Sequence, residues 1–488
     1  MLDALENLCI VPREEMTNKE KPSTGQKALQ INLDAKKYGA FAEIGAGQEV
    51  ARWFFHVGKA SGTVAKTISA YDMAVSDAIY GPSNRYVSRM RLQAMLDHEF
   101  GLLLQRLDKT LGDRRTFFAF ADTVTTKHIS KAGEEGGHGW LGIKFQNIPR
   151  AEPSTIIIHA RMLDWETSRQ QEAVGTLGVN LIHGAFYQHL EPDRLIGSLL
   201  DSLSWQRIEV DMIKFSGPAF QGLDNRLMAL QLVQQWLTEA AMFTADGETI
   251  IPGELLWKKP VLVERGSFRP LTHPMLDMLD RAHEKFIQQP ALQGEKPVVI
   301  FEMTLRQLQV GDAIDHQDFL DRVDTLRPLG KAVLISNFLR YHRLVTYLSR
   351  HTQKPIGLPI GLVRLRDVFD EKFYTDLPGG LMESLGQLFK NGAKLYVYPS
   401  LDKKNGKLTT VENLEVAPHL RHLYAHLVEN KFIEGITNYD PEALKIYSGE
   451  VLAKIHAGDE SVVKLIPPQI FEVIKARKLF GWQKQMAG

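Results

Sequence analysis

The stretch VLVERGSFRPLTHPMLDMLDRA, residues 261–282, places an apolar run, a tight turn and an amphipathic segment in direct succession. Residues 261–263 form the short apolar run that is typical of a buried strand, and Gly266 lies where a chain leaving such a strand must turn sharply. Pro274 suits the first turn of a helix, and apolar residues then recur at helical spacing: Leu276, Leu279 and Phe286. A helix N-terminus at the end of a parallel strand offers free N–H groups to an anion, so the stretch predicts a phosphate-binding site.

The same alternation of short β-rich runs and amphipathic helices continues from about residue 259 to residue 400. We predict strands at 260–263, 297–302, 332–336, 356–361 and 395–398, separated by helices at 274–288, 316–326, 339–351 and 382–391. Right-handed crossovers would then give a parallel Rossmann-like sheet with helices on both faces. Ligands of such sheets bind at the carboxyl ends of the strands, which adds Ser336, Asn337 and Gly361 to the candidate binding residues.

The predicted fold class is α/β, with this Rossmann-like sheet at 256–402 and a larger α+β domain before it at 36–255. Predicted helices of the larger domain are 48–55, 88–109, 166–175 and 225–239, and its strands are 117–121, 140–145, 155–161, 208–215 and 242–244. Residues 1–35 are predicted to be a flexible tail, and residues 403–488 a helical C-terminal segment. The apolar run LIPPQIFEVIKARKLFGW in that segment suggests docking on another domain or subunit, hence a homo-oligomer.

Composition favours an ordinary globular protein with two or three cores, because 44% of the 488 residues are hydrophobic and 24% are charged. The 58 basic residues balance the 58 acidic ones, so no overall field attracts nucleic acid or anionic lipid, and we predict neither partner. The N-terminus shows no secretory signal and the chain has no long apolar run, which predicts a cytoplasmic protein without a membrane span. Cys9 is the only cysteine, which excludes an internal disulfide.

The turn after the first strand resembles the first signature of the nucleotidyltransferase superfamily, which includes nicotinate-nucleotide and pantetheine-phosphate adenylyltransferases. That signature reads Gly, Ser or Thr, Phe, any residue and Pro, followed by Thr or His, any residue, Gly and His. The chain matches it at Gly266, Ser267, Phe268, Pro270 and Thr272. Met275 stands where the family has a histidine that helps to bind ATP phosphates, and a thioether cannot donate a hydrogen bond.

Two longer segments, YGAFAEIGAGQEVARWFF at 38–55 and DMIKFSGPAF at 211–220, are similar to those of a bacterial protein family with inconsistent automatic names. One of these names is nicotinate-nucleotide adenylyltransferase and another is TonB-dependent receptor. The receptor name requires a secretory signal that the N-terminus does not show. The family resemblance therefore implies no particular activity.

The signature implies an adenylyltransferase-like enzyme that transfers AMP from ATP to a mononucleotide such as nicotinate mononucleotide, with Mg²⁺ offsetting phosphate charge. ATP would lie over the turn, in contact with Gly266, Ser267 and Phe268, while Ser336 and Asn337 follow a neighbouring strand. Catalytic candidates, which would hold or polarise phosphates, are Thr272, His273 and Arg269. The alternative is a non-catalytic binding, assembly or regulatory protein with a Rossmann-like domain, because no complete catalytic set is visible in the sequence.

Three weaker patterns have both a functional and a structural interpretation. Glu209 and Asp211 share one face of a predicted strand, which with Arg226 suggests a second candidate site, whereas the structural interpretation is a solvated strand face. Gly45 and Gly47 suggest a phosphate nest, or more simply a tight turn or helix packing. Three histidines share one helix face, which favours a polar surface over a metal site: His419, His422 and His426. We therefore predict no metal-ligating residues.

Overall fold

The computed structural model describes residues 21–126, 136–311, 313–403 and 405–483. Within these ranges the chain forms two large β-sheets, one from residues 37–216 and one from residues 240–435, each with helices on both faces. The described helices are all too short or too polar to cross a membrane. The α/β class predicted from the sequence is confirmed.

The first sheet mixes parallel and antiparallel strands. Its strands are β1 (Lys37–Ile44), β2 (Val64–Ile68), β3 (Thr116–Thr125), β4 (His138–Phe145), β5 (Ser154–Met162) and β6 (Ile208–Ser216). Their order is β2-β1-β3-β4-β5-β6, in which β1 runs parallel to both neighbours and the later pairs are antiparallel. This arrangement agrees with the α+β expectation for the first half of the chain.

Helices cover both faces of the first sheet. They are α1 (Thr24–Leu33), α2 (Glu49–His56), α3 (Met73–Tyr80), α4 (Arg89–Leu111), α5 (Thr167–Tyr187), α6 (Pro192–Ser198) and α7 (Asn225–Gln234). Helix α5 is predicted only as far as Gly175 but continues twelve residues further, with nearly all of its side chains buried. A Cβ at Gly178 would lie 2.4 Å from a methyl carbon of Val50 on α2, so glycine permits close helix packing here instead of ending the helix.

Helix α1 lies within the range that the sequence predicts as a flexible tail. Ser23 and Gln26 form a capping box at its start, and Ala28 and Ile31 are fully buried in the core beside α5. The ammonium of Lys27 donates to Asp201 and to Asn180, each at 2.8 Å. Residues 24–33 are therefore packed against the first sheet's core, and residues 1–20 lie outside the described residues.

The second sheet contains all the strands predicted between residues 260 and 398. The strands from this part of the chain are β7 (Ala240–Phe243), β8 (Thr249–Ile250), β9 (Val261–Arg265), β10 (Val298–Thr304), β11 (Gln309–Val310), β12 (Ala313–Ile314), β13 (Ala332–Ser336), β14 (Ile356–Gly361), β15 (Lys394–Tyr398), β16 (Ser400–Leu401), β17 (Leu408–Thr409) and β18 (Ile433–Gly435). The short pairs β11–β12 and β16–β17 are separate hairpins. The large sheet has the order β18-β15-β14-β9-β10-β13-β7-β8.

This strand order is that of a doubly wound dinucleotide-binding sheet. Numbering the parallel strands β9, β10, β13, β14, β15 and β18 from one to six gives the order 3-2-1-4-5-6. The antiparallel strands β7 and β8 extend the sheet beyond β13, and β18 lies after residue 402, so the sheet reaches past both ends of the predicted 256–402 range. The order reverses between β9 and β14, and ligands of such sheets bind at that switch point.

Helices on the second sheet form two layers. They are α8 (Pro252–Leu256), α9 (His273–Ile287), α10 (Leu305–Leu308), α11 (His316–Leu326), α12 (Tyr341–Leu348), α13 (Leu362–Val368), α14 (Gly380–Leu388), α15 (Arg421–Glu429), α16 (Ser448–His456) and α17 (Pro468–Arg477). Helices α9, α11, α16 and α17 share one core, and α12 to α15 share the core on the other face.

The apolar C-terminal run packs on its own chain. Ile470 and Ile474 of α17 are fully buried in the same core as Phe286 of α9 and Phe319 of α11. Trp482 closes this core, with its ring centroid 5.4 Å from that of Phe471. The predicted docking surface is thus occupied within the chain, and self-association through the segment remains a prediction.

Candidate functional site

The switch point of the second sheet is bordered by the last residues of β9 and β14. Beyond β9 the chain enters the turn at Gly266, and beyond β14 it enters α13 at Gly361. A Cβ added to Gly361 would meet no atom within 4 Å, so open space lies beside this end of the sheet. The turn singled out in the sequence therefore lies at the edge where a doubly wound sheet binds ligands.

The turn itself is held by packing. Phe268 is fully buried, and its ring contacts that of Phe301 on β10 at a centroid distance of 5.0 Å. A Cβ at Gly266 would lie 2.8 Å from the Phe268 ring, so the glycine allows the aromatic side chain to fold back over the strand end. The carbonyl of Ser267 accepts a hydrogen bond from Arg322 of α11 at 3.2 Å. Phe268, predicted to contact a cofactor, lies in the hydrophobic core.

Two of the three predicted catalytic residues are hydrogen-bonded within the chain, Arg269 through its side chain and His273 through its backbone. Arg269 Nε donates to Asp318 Oδ1 at 2.5 Å, and Arg322 shares the same carboxylate. The His273 N–H, first in α9, donates to the Leu465 carbonyl at 3.1 Å. Thr272 is buried at the N-cap position and makes no capping hydrogen bond through its side chain. The start of α9 is therefore covered by the chain segment that precedes α17.

A buried ion pair lies where β9, β10 and β13 end. Arg265 donates to both carboxylate oxygens of Glu302, at 2.7 and 2.8 Å, and its guanidinium lies 4.5 Å from the Tyr341 ring centroid. Ser336 donates to the same carboxylate at 2.6 Å. Burial opposes the charge on Arg265, but Glu302 outweighs it and raises the pKa of Arg265. Ser336 thus positions Glu302, while the N–H of Asn337 donates to the Glu239 carbonyl at 2.9 Å.

Glu264, the residue before this pair on β9, has no partner of its own. Both of its carboxyl oxygens are buried without a hydrogen bond, and burial, with the negative charge of Asp280, raises its pKa well above the ordinary value. Glu264 was not considered in the sequence analysis, although an acidic residue inside a strand that is buried on both faces indicates an unusual carboxyl group. Buried polar groups without partners are rare in native proteins and call for an explanation.

We expect Glu264→Gln to stabilise the protein at high pH. The folded state keeps Glu264 protonated because its pKa is raised, whereas the unfolded state releases the proton above pH 4.5. Wild-type stability therefore falls by about 1.4 kcal/mol for each pH unit from 4.5 toward the raised pKa, and the glutamine lacks this loss. Urea unfolding at pH 4 to 8 should show a gain that grows with pH, while exposed Glu415→Gln shows no such trend. A pH-independent gain would contradict this assignment.

The second candidate site is buried, not solvated. Asp211 and Glu209 on β6 are only 4% and 8% exposed. Asp211 Oδ1 lies 2.6 Å from His159 Nδ1 on β5, and His159 Nε2 lies 3.2 Å from His138 Nδ1 on β4. Glu209 accepts hydrogen bonds from Arg161 at 3.0 Å and from Thr238 at 2.6 Å. Sequence reasoning missed the histidines because they lie 52 and 73 residues from Asp211, on other strands.

Protonation in this cluster follows from burial and charge. Burial, together with the positive charges of His159, Arg85 and Arg161, lowers the pKa of His138 to about 4. Burial alone would raise the pKa of Asp211, but His159 and Arg161 lower it below the ordinary value. Arg226, which we grouped with Asp211, lies elsewhere and pairs with Asp224 and Asp324, each at 2.6 Å.

The remaining sequence patterns have structural roles. Glu43 of β1 accepts hydrogen bonds from the N–H groups of Val50 and Ala51, both at 2.9 Å, so a carboxylate of the protein occupies the start of α2. This agrees with the tight-turn interpretation of Gly45 and Gly47. The three histidines of 419–426 are exposed, and His419 pairs with Glu371. Among the described residues, no cluster of three or more His, Cys, Asp or Glu side chains is arranged to hold a metal ion.

The chain has little similarity to known proteins in sequence or in structure. No family model matches the chain, and no curated protein sequence matches it. The solved structure of competence/damage inducible protein CihA from Agrobacterium tumefaciens is 18% identical, covers 34% of this chain and 97% of its own, and has a TM-score of 0.25. The competence-damaged protein (CinA) superfamily protein from Enterobacter cloacae is 11% identical, covers 36% and 98%, and has a TM-score of 0.27.

Proposed function

We propose that the protein binds an adenine nucleotide at the switch point between β9 and β14. The observation that carries this proposal is the 3-2-1-4-5-6 strand order, which makes β9 and β14 neighbours, so that the Gly266–Ser267 turn and Gly361 follow the adjacent strand ends where doubly wound sheets have their ligand crevice. Glu264 supports it as well, because unpartnered and destabilising groups concentrate at functional sites. The ligand class follows from the signature-like turn, and ATP is the nucleotide we propose.

The finer proposal is transfer of AMP from ATP to a mononucleotide such as nicotinate mononucleotide. An oxygen of the acceptor's phosphate would form the new bond to the α-phosphorus while the bond to pyrophosphate breaks, so catalysis would depend on positioning and charge. Mg²⁺, when bound, neutralises phosphate charge, and ATP phosphates would supply most of its ligands because the described residues form no metal-ligating cluster. Arg269 would approach the phosphates only by leaving Asp318, and Thr272 and His273 only if the segment around Leu465 leaves the start of α9.

A second candidate is nucleotide binding without transfer. Arg269 is paired with Asp318, and Met275 of α9 is half-buried against the core. A protein of this kind would sense or store a nucleotide, and its Rossmann-like sheet would serve binding alone.

We expect Gly361→Leu to weaken ATP binding by about tenfold or more, because the new side chain fills the crevice. The backbone at Gly361 has φ −78° and a Cβ there meets no atom within 4 Å, so leucine should not disturb the fold. Calorimetric titration with ATP, with and without Mg²⁺, measures the effect. Pyrophosphate release in the presence of nicotinate mononucleotide separates transfer from binding alone.

Gly386→Leu is the matched control, since it adds the same side chain in open space near the end of α14 that precedes β15. Equal ATP affinity of the two variants would remove the crevice as the nucleotide site. Saturable binding without pyrophosphate would favour the second candidate, and absence of any ATP binding by the wild-type protein would end both proposals.

A further inference from the structure

A small cavity lies at the carboxyl ends of the parallel strands β15 and β18, on the same edge of the second sheet as the switch point. Its volume is about 150 Å³. A cavity of roughly that volume holds a molecule the size of benzene, whereas drug-sized ligands need roughly 300 Å³ or more, so an adenine nucleotide does not fit. The strands β14 and β15 separate this cavity from the proposed nucleotide site.

Gly435, the last residue of β18, keeps space open in this cavity. It is not one of the glycines with positive φ, so its backbone conformation does not require glycine. A Cβ there would lie 3.3 Å from Glu412 Oε1 and 3.5 Å from the Cβ of Val411, and both of these residues line the cavity. Glycine within a strand often marks a place where a ligand comes close to the backbone. A larger residue at position 435 would therefore fill the cavity.

The loop segment 410–412, which forms one wall of the cavity, is held in place by hydrogen bonds. The N–H of Thr410 donates to Asn413 Oδ1 at 2.7 Å. The buried hydroxyl of Tyr424 on α15 donates to the carbonyl of Val411 at 2.8 Å. This wall is formed before any ligand binds, so binding would not incur the cost of ordering a loop.

The cavity has one negative charge and no positive one among the described residues that line it. Glu412 is its only charged residue, and its carboxylate makes no hydrogen bond or ion pair within the described part of the chain. The same holds for the hydroxyls of Thr410 and Thr437, which line the cavity as well. The rest of the wall is mainly apolar and includes Val397, Ile436 and the Tyr439 ring.

We propose that this cavity binds a small organic cation, an alkylammonium of about the size of benzene. An ammonium group has three hydrogen-bond donors and no acceptor, which suits the Glu412 carboxylate and the two threonine hydroxyls. The alkyl stem would lie against the apolar wall, and the Tyr439 ring attracts positive charge. An anion would be repelled by Glu412, and a neutral alcohol would leave the carboxylate without a counter-charge. The proposal concerns binding alone and is independent of the nucleotide site.

The test titrates the full-length protein at pH 7 with n-butylamine, n-butanol and butyrate, which are similar in size and differ in charge. NMR of isoleucine and valine methyl groups reports binding at the cavity through Val397, Val411 and Ile436. We expect n-butylamine to shift these methyl signals saturably, with a Kd in the millimolar range as befits so small a ligand. n-Butanol should bind at least about tenfold more weakly, because it lacks the charge-assisted hydrogen bond. Butyrate should not bind.

Two substitutions locate the cation. Glu412→Gln should weaken n-butylamine binding by at least about tenfold, and Glu412 is exposed, so the fold should not change. Glu415→Gln is the matched control, since Glu415 is exposed on the same loop and does not line the cavity, and it should bind as the wild-type protein does. Gly435→Val should abolish binding because its side chain fills the cavity, and valine suits a strand.

The wild-type titrations test the proposal without any substitution. Equal affinities for n-butylamine and n-butanol would overturn it, because the carboxylate would then contribute nothing to selection. The absence of saturable methyl shifts with n-butylamine would overturn it as well. Undiminished binding in Glu412→Gln or in a folded Gly435→Val would place the ammonium outside this cavity.

Discussion

Arg265→Ala is expected to lower the free energy of unfolding by about 3 to 5 kcal/mol, because it leaves a buried carboxylate without its counter-charge. Glu302 is fully buried and accepts both guanidinium hydrogen bonds, at 2.7 and 2.8 Å. After the substitution, only the Ser336 hydroxyl remains as a side-chain donor to it. The loss would be larger than that of an ordinary surface ion pair, since water cannot replace the missing charge.

Urea unfolding at pH 7 measures this effect, and Arg281→Ala is the matched control. Arg281 lies on α9 and pairs with Asp277 at 3.1 Å and Glu284 at 2.7 Å near the surface, so its removal should cost less than about 1 kcal/mol. Replacing both partners, as Arg265→Met with Glu302→Leu, should recover most of the loss. If Arg265→Ala were no more harmful than Arg281→Ala, the Glu302 charge would not be isolated by burial.

Gly45→Ala is expected to lower the free energy of unfolding by about 4 kcal/mol or more. Gly45 follows β1 with φ +102°, a conformation that L side chains rarely adopt. A Cβ there would lie 1.8 Å from the carbonyl oxygen of Val124 on β3, closer than any non-bonded contact. Because that carbonyl belongs to a paired strand of the sheet, the backbone has little freedom to move away.

Gly58→Ala separates the steric clash from the backbone strain. Gly58 has φ +80°, but a Cβ there meets no atom within 4 Å, so only the conformational cost of about 1 kcal/mol applies. Thermal unfolding of both variants should give a much lower Tm for Gly45→Ala. Similar Tm values would show that β1 and β3 can separate to admit the methyl group.

The strands of the second sheet were predictable because burial on both faces leaves an apolar run in the sequence. The predictions for β13 and β14 agree with the structure residue for residue. The hydrophobic pattern of the sequence indicates which residues are buried but not which strands lie side by side, so it could not give the strand order. It also missed β18, which has three residues and completes the parallel set.

The candidate sites were less predictable because their geometry depends on contacts between distant residues. The local turn at 266–272 was located from its glycine, yet the partners of Arg269 and His273 lie 49 and 192 residues away. Asp211 was a candidate because it shares one face of a predicted strand with Glu209. The contacts with its two histidines arise from the register of three strands, which no short sequence window contains.

The packing of α17 and Trp482 against α9 and α11 has a consequence for how the chain matures during translation. Core positions beside α9 stay unfilled until residues 466–482 have emerged from the ribosome, since Ile466, Ile470 and Trp482 complete that core. Apolar surface of the second sheet is thus exposed to chaperones until this segment has been synthesised, whereas the strands of the first sheet emerge earlier. A message truncated before the codon for Ile466 would yield a product that proteases recognise by this unfinished face.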